Sequence, residues 1–494
     1  MNAATQDVPT LISAESLATR QKALGALLLC ILVLLVAVDF RAPTFIDEGL
    51  TMVEVAGQEA QPFPTGVRRT DDLRDMRLES NAPLSEVLQS LGRVDRHPPL
   101  YYVLLWTWTR LTGLGLYACR ALSVAFLIAT IYLYAKWMRS VLHTAIFAFS
   151  PLTLLFGTIA RSYMLAVFFT VLTLYLLDSA VRKRPWAPIA AAISGAAAVW
   201  CHYFAAFPIV IAFSGLLVLH WRNERSRLIR SLGLFALLIA PAMWRASTQA
   251  STATPTVYKG WPTIYEIVRS FLRAPVNAFQ LFPGPLDLVF SALFLAVLAG
   301  AAWTFRRRSP RVQISLVILL VHALMLILIS AAKHQSLSTP RYLGLVSPFY
   351  CILIADAVTR AKRFRRAATI FVFVAIAGSS TLEAGKLFHI GKLQQQVFGR
   401  KPSRTLIVAG GGMMKWAMPE TLVSDLPRET SFLVLQSPQD IRSAVALLGT
   451  YEKTFFCPTP EDTHIEGYDR FSSLFPPPRT RLFREFYCSA RPAE

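Results

Sequence analysis

The chain has 494 residues, 54% of them hydrophobic and only 16% charged, with a formal net charge of +20. A soluble chain holds about 25% charged residues, so most of this one must be dissolved in lipid. Its Lys and Arg sit in short clusters between apolar stretches, not on one soluble face with groove-reading partners, which argues against a nucleic-acid partner and for topology determinants.

Apolar windows of roughly 18 to 22 residues, long enough to cross about 30 Å of hydrocarbon, recur over the first four fifths of the chain. The first runs from about Ala23 to Val38 behind Arg20 and Lys22, which places residues 1–22 in the cytoplasm. It has no small-residue cleavage site and reads as an anchor. Residues 41–115 then form a first extracytoplasmic loop. Within it, Pro98 to Gly113 is short, starts with two prolines and contains Arg110. If that stretch crossed the membrane, five basic clusters would lie outside: Lys136/Arg139, Arg182/Lys183/Arg184, Arg222/Arg225/Arg227, Arg306/Arg307/Arg308/Arg311 and Arg360/Lys362/Arg363/Arg365/Arg366. Lying along the outer surface as an interfacial helix, it keeps all five inside.

About eleven spans follow from this parity: roughly 23–39, 116–135, 141–160, 163–180, 186–203, 204–220, 228–245, 286–305, 312–331, 342–359 and 367–383. They make a membrane domain over 23–384, with residues 385–494 outside. In that tail, β-rich stretches at Thr405 to Ala409 and Ser431 to Leu435 alternate with a helical pattern at Asp440 to Leu448, which predicts a small α/β domain. Gly410-Gly411-Gly412 lacks nucleotide-loop spacing and reads as a turn. Cys457 and Cys488 are the two cysteines of the tail, and an oxidising compartment would allow them to pair.

The residues with chemical potential lie at the outer ends. Asp47 and Glu48 are adjacent carboxylates just after the first span; either can cap the next helix, and one can instead face a cleft as a base. Arg96-His97-Pro98-Pro99-Leu100-Tyr101 closes the same loop. Ala160-Arg161-Ser162-Tyr163 ends the third span, and Pro340-Arg341-Tyr342-Leu343 precedes Pro348. Arg161, Lys333, His334 and Arg341 are cations at the outer boundary, able to bind phosphate or to act as snorkelling anchors. His202 and Tyr203 occupy another outer turn.

Taken in order, these four elements resemble the GT-C glycosyltransferases of the protein O-mannosyltransferase and lipid A aminoarabinose transferase (ArnT-like) type, over about residues 20–385. The resemblance implies an α-helical polytopic GT-C-like membrane protein, sited in a bacterial inner membrane. It implies an inverting enzyme that takes a sugar from a polyprenyl phosphate to a hydroxyl of a lipid, glycan or protein acceptor outside the membrane. By resemblance Asp47 is the general base and Arg341 the main phosphate ligand, with Arg161, Lys333, Tyr342 and Tyr163 beside it. His97 either hydrogen-bonds phosphate or acceptor or caps the interfacial helix. Glu48 orients a helix or a cation, and His202 lines the pocket or sits as an interfacial histidine.

The pattern departs from the family at one point. Bacterial relatives often carry a second acid beside the Ala-Arg-x-Tyr element, whereas no Asp or Glu occurs between Val141 and Leu177. A carboxylate pair for a divalent metal is not visible, so metal-independent transfer is expected. A flippase would show repeats and ionisable positions at mid-membrane, which are not seen. A polymerase or ligase would place its cations in a long late outer loop, and a sensor would use the tail for binding.

Overall fold

The computed structural model describes residues 14–491 apart from 59–62, 92–96, 182–183, 250–259, 278–283, 335–336, 338–339, 399–401, 411–417, 459–464, 476–479 and 484–486. Residues 1–13, Arg96, Arg182, Lys183, Gly411 and Gly412 of the sequence reading therefore lie outside the described residues.

Helix α1 (Ala14–Phe40) leads into a first loop that carries α2 (Ile46–Val55), strand β1 (Arg68–Arg69), α3 (Thr70–Arg77), α4 (Leu84–Ser90) and α5 (Leu100–Thr112). The bundle continues with α6 (Leu116–Met138), α7 (Val141–Phe149), α8 (Pro151–Thr158), α9 (Tyr163–Val181), α10 (Ala187–Cys201), α11 (Ala206–Leu219) and α12 (Trp221–Gln249). It ends with α13 (Trp261–Asn277), α14 (Gly284–Trp303), α15 (Pro310–Ala332), α16 (Ser347–Arg360) and α17 (Arg365–Phe398). A helix thus occupies each window expected to span.

Among the described residues, α6, α9, α12, α14, α15 and α17 are each long and apolar enough to cross a membrane, and α7 and α8 pass the same test as a pair, bent by 60° at the break between them. The bend has a local cause: Pro151 lacks an N–H and forces Ser150 out of the helical region, to φ −58° and ψ 131°. Helices α10, α11 and α16 have 15, 14 and 14 residues. They are shorter than the ~20 residues a full crossing needs. The chain spends the difference on turns, at His202 to Ala205 and at Pro340 to Val346.

The two ends of the bundle differ chemically. At one end Arg311 pairs with Asp178 at 2.8 Å, Arg308 pairs with Asp356, and Arg360 meets the same carboxylate at 3.1 Å. All three arginines belong to the basic clusters. Tyr163 begins α9 at the opposite end, about 22 Å from Asp178 at 1.5 Å per residue.

Helix α5 has one face open and one packed: Leu111 is exposed, while Tyr102 and Leu105 are buried. Its indoles are fixed to the protein, Trp106 donating to the Ala82 carbonyl at 3.0 Å and Trp108 to that of Ala118 at 2.8 Å.

The tail adds β2 (Thr405–Gly410), α18 (Met418–Asp425), β3 (Ser431–Leu435), α19 (Pro438–Leu447), β4 (Lys453–Cys457), α20 (Tyr468–Ser472), β5 (Thr480–Arg481) and β6 (Tyr487–Ala490). Strand order is β1-β3-β2-β4-β6-β5, parallel where β2 meets β3 and β4. Cys457 and Cys488 form a disulfide that joins β4 to β6. Two features exceed the sequence reading. Helix α17 runs on beyond the apolar window to Phe398, whose ring meets Phe455 and Phe483. The sheet also takes β1 from the first loop, Arg68 and Arg69 pairing with Phe432 and Ser431.

Period-2 alternation explains how the tail is seated. Leu406, Val408, Leu433, Leu435 and Phe456 face a separate core with α19 and α20. Ile407, Ala409, Phe432, Val434 and Phe455 join the core shared with the membrane bundle. Both faces of the sheet are buried, one of them in that shared core.

Candidate active site

Helix α2 presents its two adjacent acids in different directions, since consecutive residues diverge by about 100°. Glu48 turns inward. It accepts the Phe45 N–H at 2.8 Å, so the helix cap is made by Glu48 and not by Asp47. It also accepts Arg120 Nε at 2.8 Å, Arg120 Nη2 at 2.6 Å and the Ala160 N–H at 2.7 Å. Burial alone would push the Glu48 carboxyl up, but the Arg120 charge and these hydrogen bonds outweigh it and hold it below the usual carboxylate range. Arg120 Nη1 meanwhile donates to the carbonyls of Phe40 at 2.8 Å and Ala42 at 2.7 Å. One buried pair thus ties together the end of α1, α2, α6 and the turn before α9.

Asp47 faces the other way. Its Oδ2 accepts the Tyr163 hydroxyl at 3.2 Å and its Oδ1 lies 3.4 Å from Arg341 Nη1. The Asp47 side chain is 8% exposed and that of Arg341 42%. Arg341 is carried on the 3-10 turn Pro340–Tyr342, its guanidinium 5.2 Å from the Tyr342 ring. Its Nε is buried without a hydrogen-bond partner among the described residues. That turn can approach α8 only because residue 344 is glycine: a Cβ there would stand 2.1 Å from the Phe156 ring. Phe156 in turn packs on Tyr163 with ring centroids 4.7 Å apart.

Arg161 is a cation of a different kind. It is 2% exposed, and its Nη1 donates to Thr51 Oγ1 and to the Tyr102 hydroxyl, both at 2.8 Å, while Nη2 lies 3.4 Å from His97 Nδ1. His97 meets His202 edge-on at 5.5 Å, and His202 meets Tyr163 at 5.4 Å. His202 sits in extended backbone where α10 stops, its Nδ1 accepting the Phe204 N–H at 3.3 Å. Phe204 packs on Tyr342 at 5.2 Å.

Asp47, Arg341, Tyr163, Tyr342, Arg161, His97 and His202 therefore form one connected cluster at one end of the bundle. Glu48 stands immediately behind it. Lys333, at the end of α15, is exposed, and no hydrogen bond or ion pair joins its side chain to the cluster among the described residues. The sequence reading missed three members. Arg120 was legible only as a charge inside an otherwise apolar window. Thr51 follows Asp47 by four residues on the same helix, and Tyr102 lies within the aromatic run of α5.

The cluster offers a carboxylate able to accept a proton from a hydroxyl, and beside it a part-exposed guanidinium with a spare donor for an anion. No group of three or more His, Cys, Asp or Glu side chains is placed to hold a metal among the described residues.

The chain superposes on the crystal structure of ArnT from Cupriavidus metallidurans in the apo state with a TM-score of 0.50, covering 96% of this chain and 98% of that one at 11% identity. The chain has the GT-C fold. The same ArnT bound to undecaprenyl phosphate gives a TM-score of 0.43 at 13% identity, over 95% of this chain and 98% of that one. No protein-family model and no curated sequence matches the chain. At 11% identity the likeness to apo ArnT is one of fold alone.

Proposed function

We propose that the protein is a membrane glycosyltransferase that moves a monosaccharide from a polyprenyl phosphate to an acceptor hydroxyl, with inversion, on the extracytoplasmic face of a bacterial inner membrane. The observation that carries this reading is the Asp47 carboxylate set against the Arg341 guanidinium at the end of the bundle opposite the basic clusters. Their 3.4 Å contact is long for a charge-assisted hydrogen bond, which is usually 2.7–2.9 Å, so the pair is held loosely enough to part around substrates.

In this account the acceptor oxygen attacks the anomeric carbon as Asp47 takes its proton. The bond from that carbon to the phosphate oxygen breaks on the opposite face, and the electron pair leaves with the polyprenyl phosphate. Arg341 neutralises the charge that develops there, a role in which a preorganised donor lowers the barrier most. Arg161 braces the pocket through Thr51, Tyr102 and His97 instead of meeting the phosphate first. Tyr163 fixes the Asp47 carboxylate, and Tyr342 and His202 supply ring faces for a sugar.

The account assigns phosphate neutralisation to protein cations and requires no divalent ion. The GT-C fold and the Asp47–Arg341 pair support sugar transfer to a hydroxyl of a lipid, glycan or protein acceptor. Release of free polyprenyl phosphate from a panel of polyprenyl-phosphate sugars tests the reading. Turnover of one donor supports it, while failure of every donor, with crude membranes supplying acceptor, would favour a transporter.

A further inference from the structure

We infer that the tail domain positions the helix that carries Asp47, with Asp425 and Thr421 of α18 clamping the first turn of α2. The inference rests on the proposed reaction for its catalytic consequence, though the clamp itself is a matter of geometry.

Thr44, three residues before Asp47, is fully buried. Its N–H donates to both carboxylate oxygens of Asp425, at 2.8 and 3.1 Å, and its hydroxyl donates to Asp425 as well and lies 2.9 Å from Ser424 Oγ. Gln394 on the extension of α17 completes the carboxylate at 3.3 Å. One turn further on, α2 and α18 touch backbone to backbone. A Cβ on Gly49 would stand 2.3 Å from Thr421 Oγ1 and 2.9 Å from its backbone nitrogen. Only glycine admits that approach.

The clamp has a rigid footing. Arg74 on α3 donates to the carbonyls of Val423, Ser424 and Leu426 at 3.0, 3.1 and 2.8 Å, which closes the free end of α18. The N–H groups of Thr70 and Asp71 donate to the carbonyls of Thr430 and Arg428 at 2.9 and 2.8 Å. These sit beside β1, which is paired to the tail sheet. The tail thus meets the first loop at two places, α18 against α2 and α3, and β3 against β1.

None of these contacts is made to the Asp47 side chain, so their effect on chemistry runs through the placement of α2. Asp425 finds neutral donors and no ion-pair partner among the described residues, and a half-buried carboxylate so satisfied contributes little to stability for its cost. What it fixes is the start of α2. A displacement of about 1 Å in a reacting group can cost roughly 10²-fold in rate. Asp425, Thr421, Thr44 and Gly49 are positioning residues in this sense.

The test uses full-length protein in nanodiscs, with the variants Asp425→Asn, Gly49→Ala and Thr44→Val. Two readouts are taken: hydrogen exchange of the α2 amides, and kcat and KM for the donor. The expected result is exchange faster by about tenfold or more across α2 with unchanged exchange in β2, β3 and β4. The same variants lower kcat by roughly 10- to 100-fold with donor KM within about twofold. Thr44→Val alters the bundle side of the contact, so it reads the clamp even where Asp425→Asn perturbs the tail. Gly49→Ala combined with Thr421→Ala recovers part of the loss.

Unchanged α2 exchange in Asp425→Asn and Thr44→Val overturns the clamp. Faster α2 exchange with kcat unaltered overturns its catalytic consequence and leaves α18 as a docking contact. A wild-type protein that turns over no donor counts against the proposed reaction alone, because the exchange measurement needs no substrate.

Discussion

The carboxylate of Glu48 and the guanidinium of Arg120 lie 2.6 Å apart with neither side chain exposed to solvent. Glu48 sits beside Asp47 in the sequence, yet it serves the scaffold, holding α2 to α6 and to the turn that bears Arg161. Removing one partner of such a pair strands a buried charge, at a cost of about 3–5 kcal/mol. Arg120→Met or Glu48→Gln should therefore destabilise the protein severely, while the double substitution, which strands no charge, should recover much of the loss. Thermal unfolding of the purified protein measures this.

The pH dependence follows from two acids that act with opposite sign. Glu48 is held below its usual value, so its contribution is complete above about pH 4.3 and is lost as pH falls through its lower folded value. Asp425 is raised, chiefly by burial. Its contribution is present below the ordinary Asp value of about 3.9 and declines as pH rises toward the folded value. Wild-type stability should drop at the acid limit, Glu48→Gln should flatten that limb, and Asp425→Asn should remove the decline on the other side. Melting temperature followed from pH 3 to 8 separates the three.

The two arginines of the cluster should fail differently. Arg341 is 42% exposed, so Arg341→Ala should fold normally and lose about 10²-fold or more in donor turnover. Arg341→Lys keeps the charge without the planar fork and should recover only part of that loss. Arg161 is buried among Thr51, Tyr102 and His97, so Arg161→Ala should lower both melting temperature and turnover. Lys333→Ala, outside the cluster, should change turnover by less than about twofold. Parallel melting and turnover assays separate these outcomes.

Much of this was legible in the sequence, for identifiable reasons. Charge parity of the loops separated the two ends of the bundle, and the short motifs around Asp47, His97, Arg161 and Arg341 gather at the end opposite the basic clusters. Their convergence needs the tertiary fold, because His97 and Arg161 are brought together by helices far apart in the chain, α5 packing against α10. The division of labour between Asp47 and Glu48 was not legible, since either acid can cap a helix and the choice depends on Arg120. The docking of β1 onto β3 was hidden as well: two residues of a charged segment carry no strand pattern, and their partners lie more than three hundred residues away. Lys333 looked equivalent to Arg341 as a cation at a span end; it is exposed, and no hydrogen bond or ion pair joins it to the cluster among the described residues.

The Cys457–Cys488 disulfide joins two strands of the tail. Its loss by Cys488→Ser should cost about 2–4 kcal/mol of tail stability and make the tail melt before the bundle. If α18 positions α2, partial melting of the tail by reductant should also lower turnover. Turnover and tail-strand hydrogen exchange, followed together against reductant concentration, check this.

The most direct test compares wild type with Asp47→Asn for release of polyprenyl phosphate in the presence of the acceptor, with and without chelator. The account predicts donor turnover that withstands chelator and falls by about 10²- to 10⁴-fold in Asp47→Asn, with the fold and donor KM retained. Asp47→Asn turning over donor as fast as wild type would contradict the assignment of Asp47 as base, and with it the central claim.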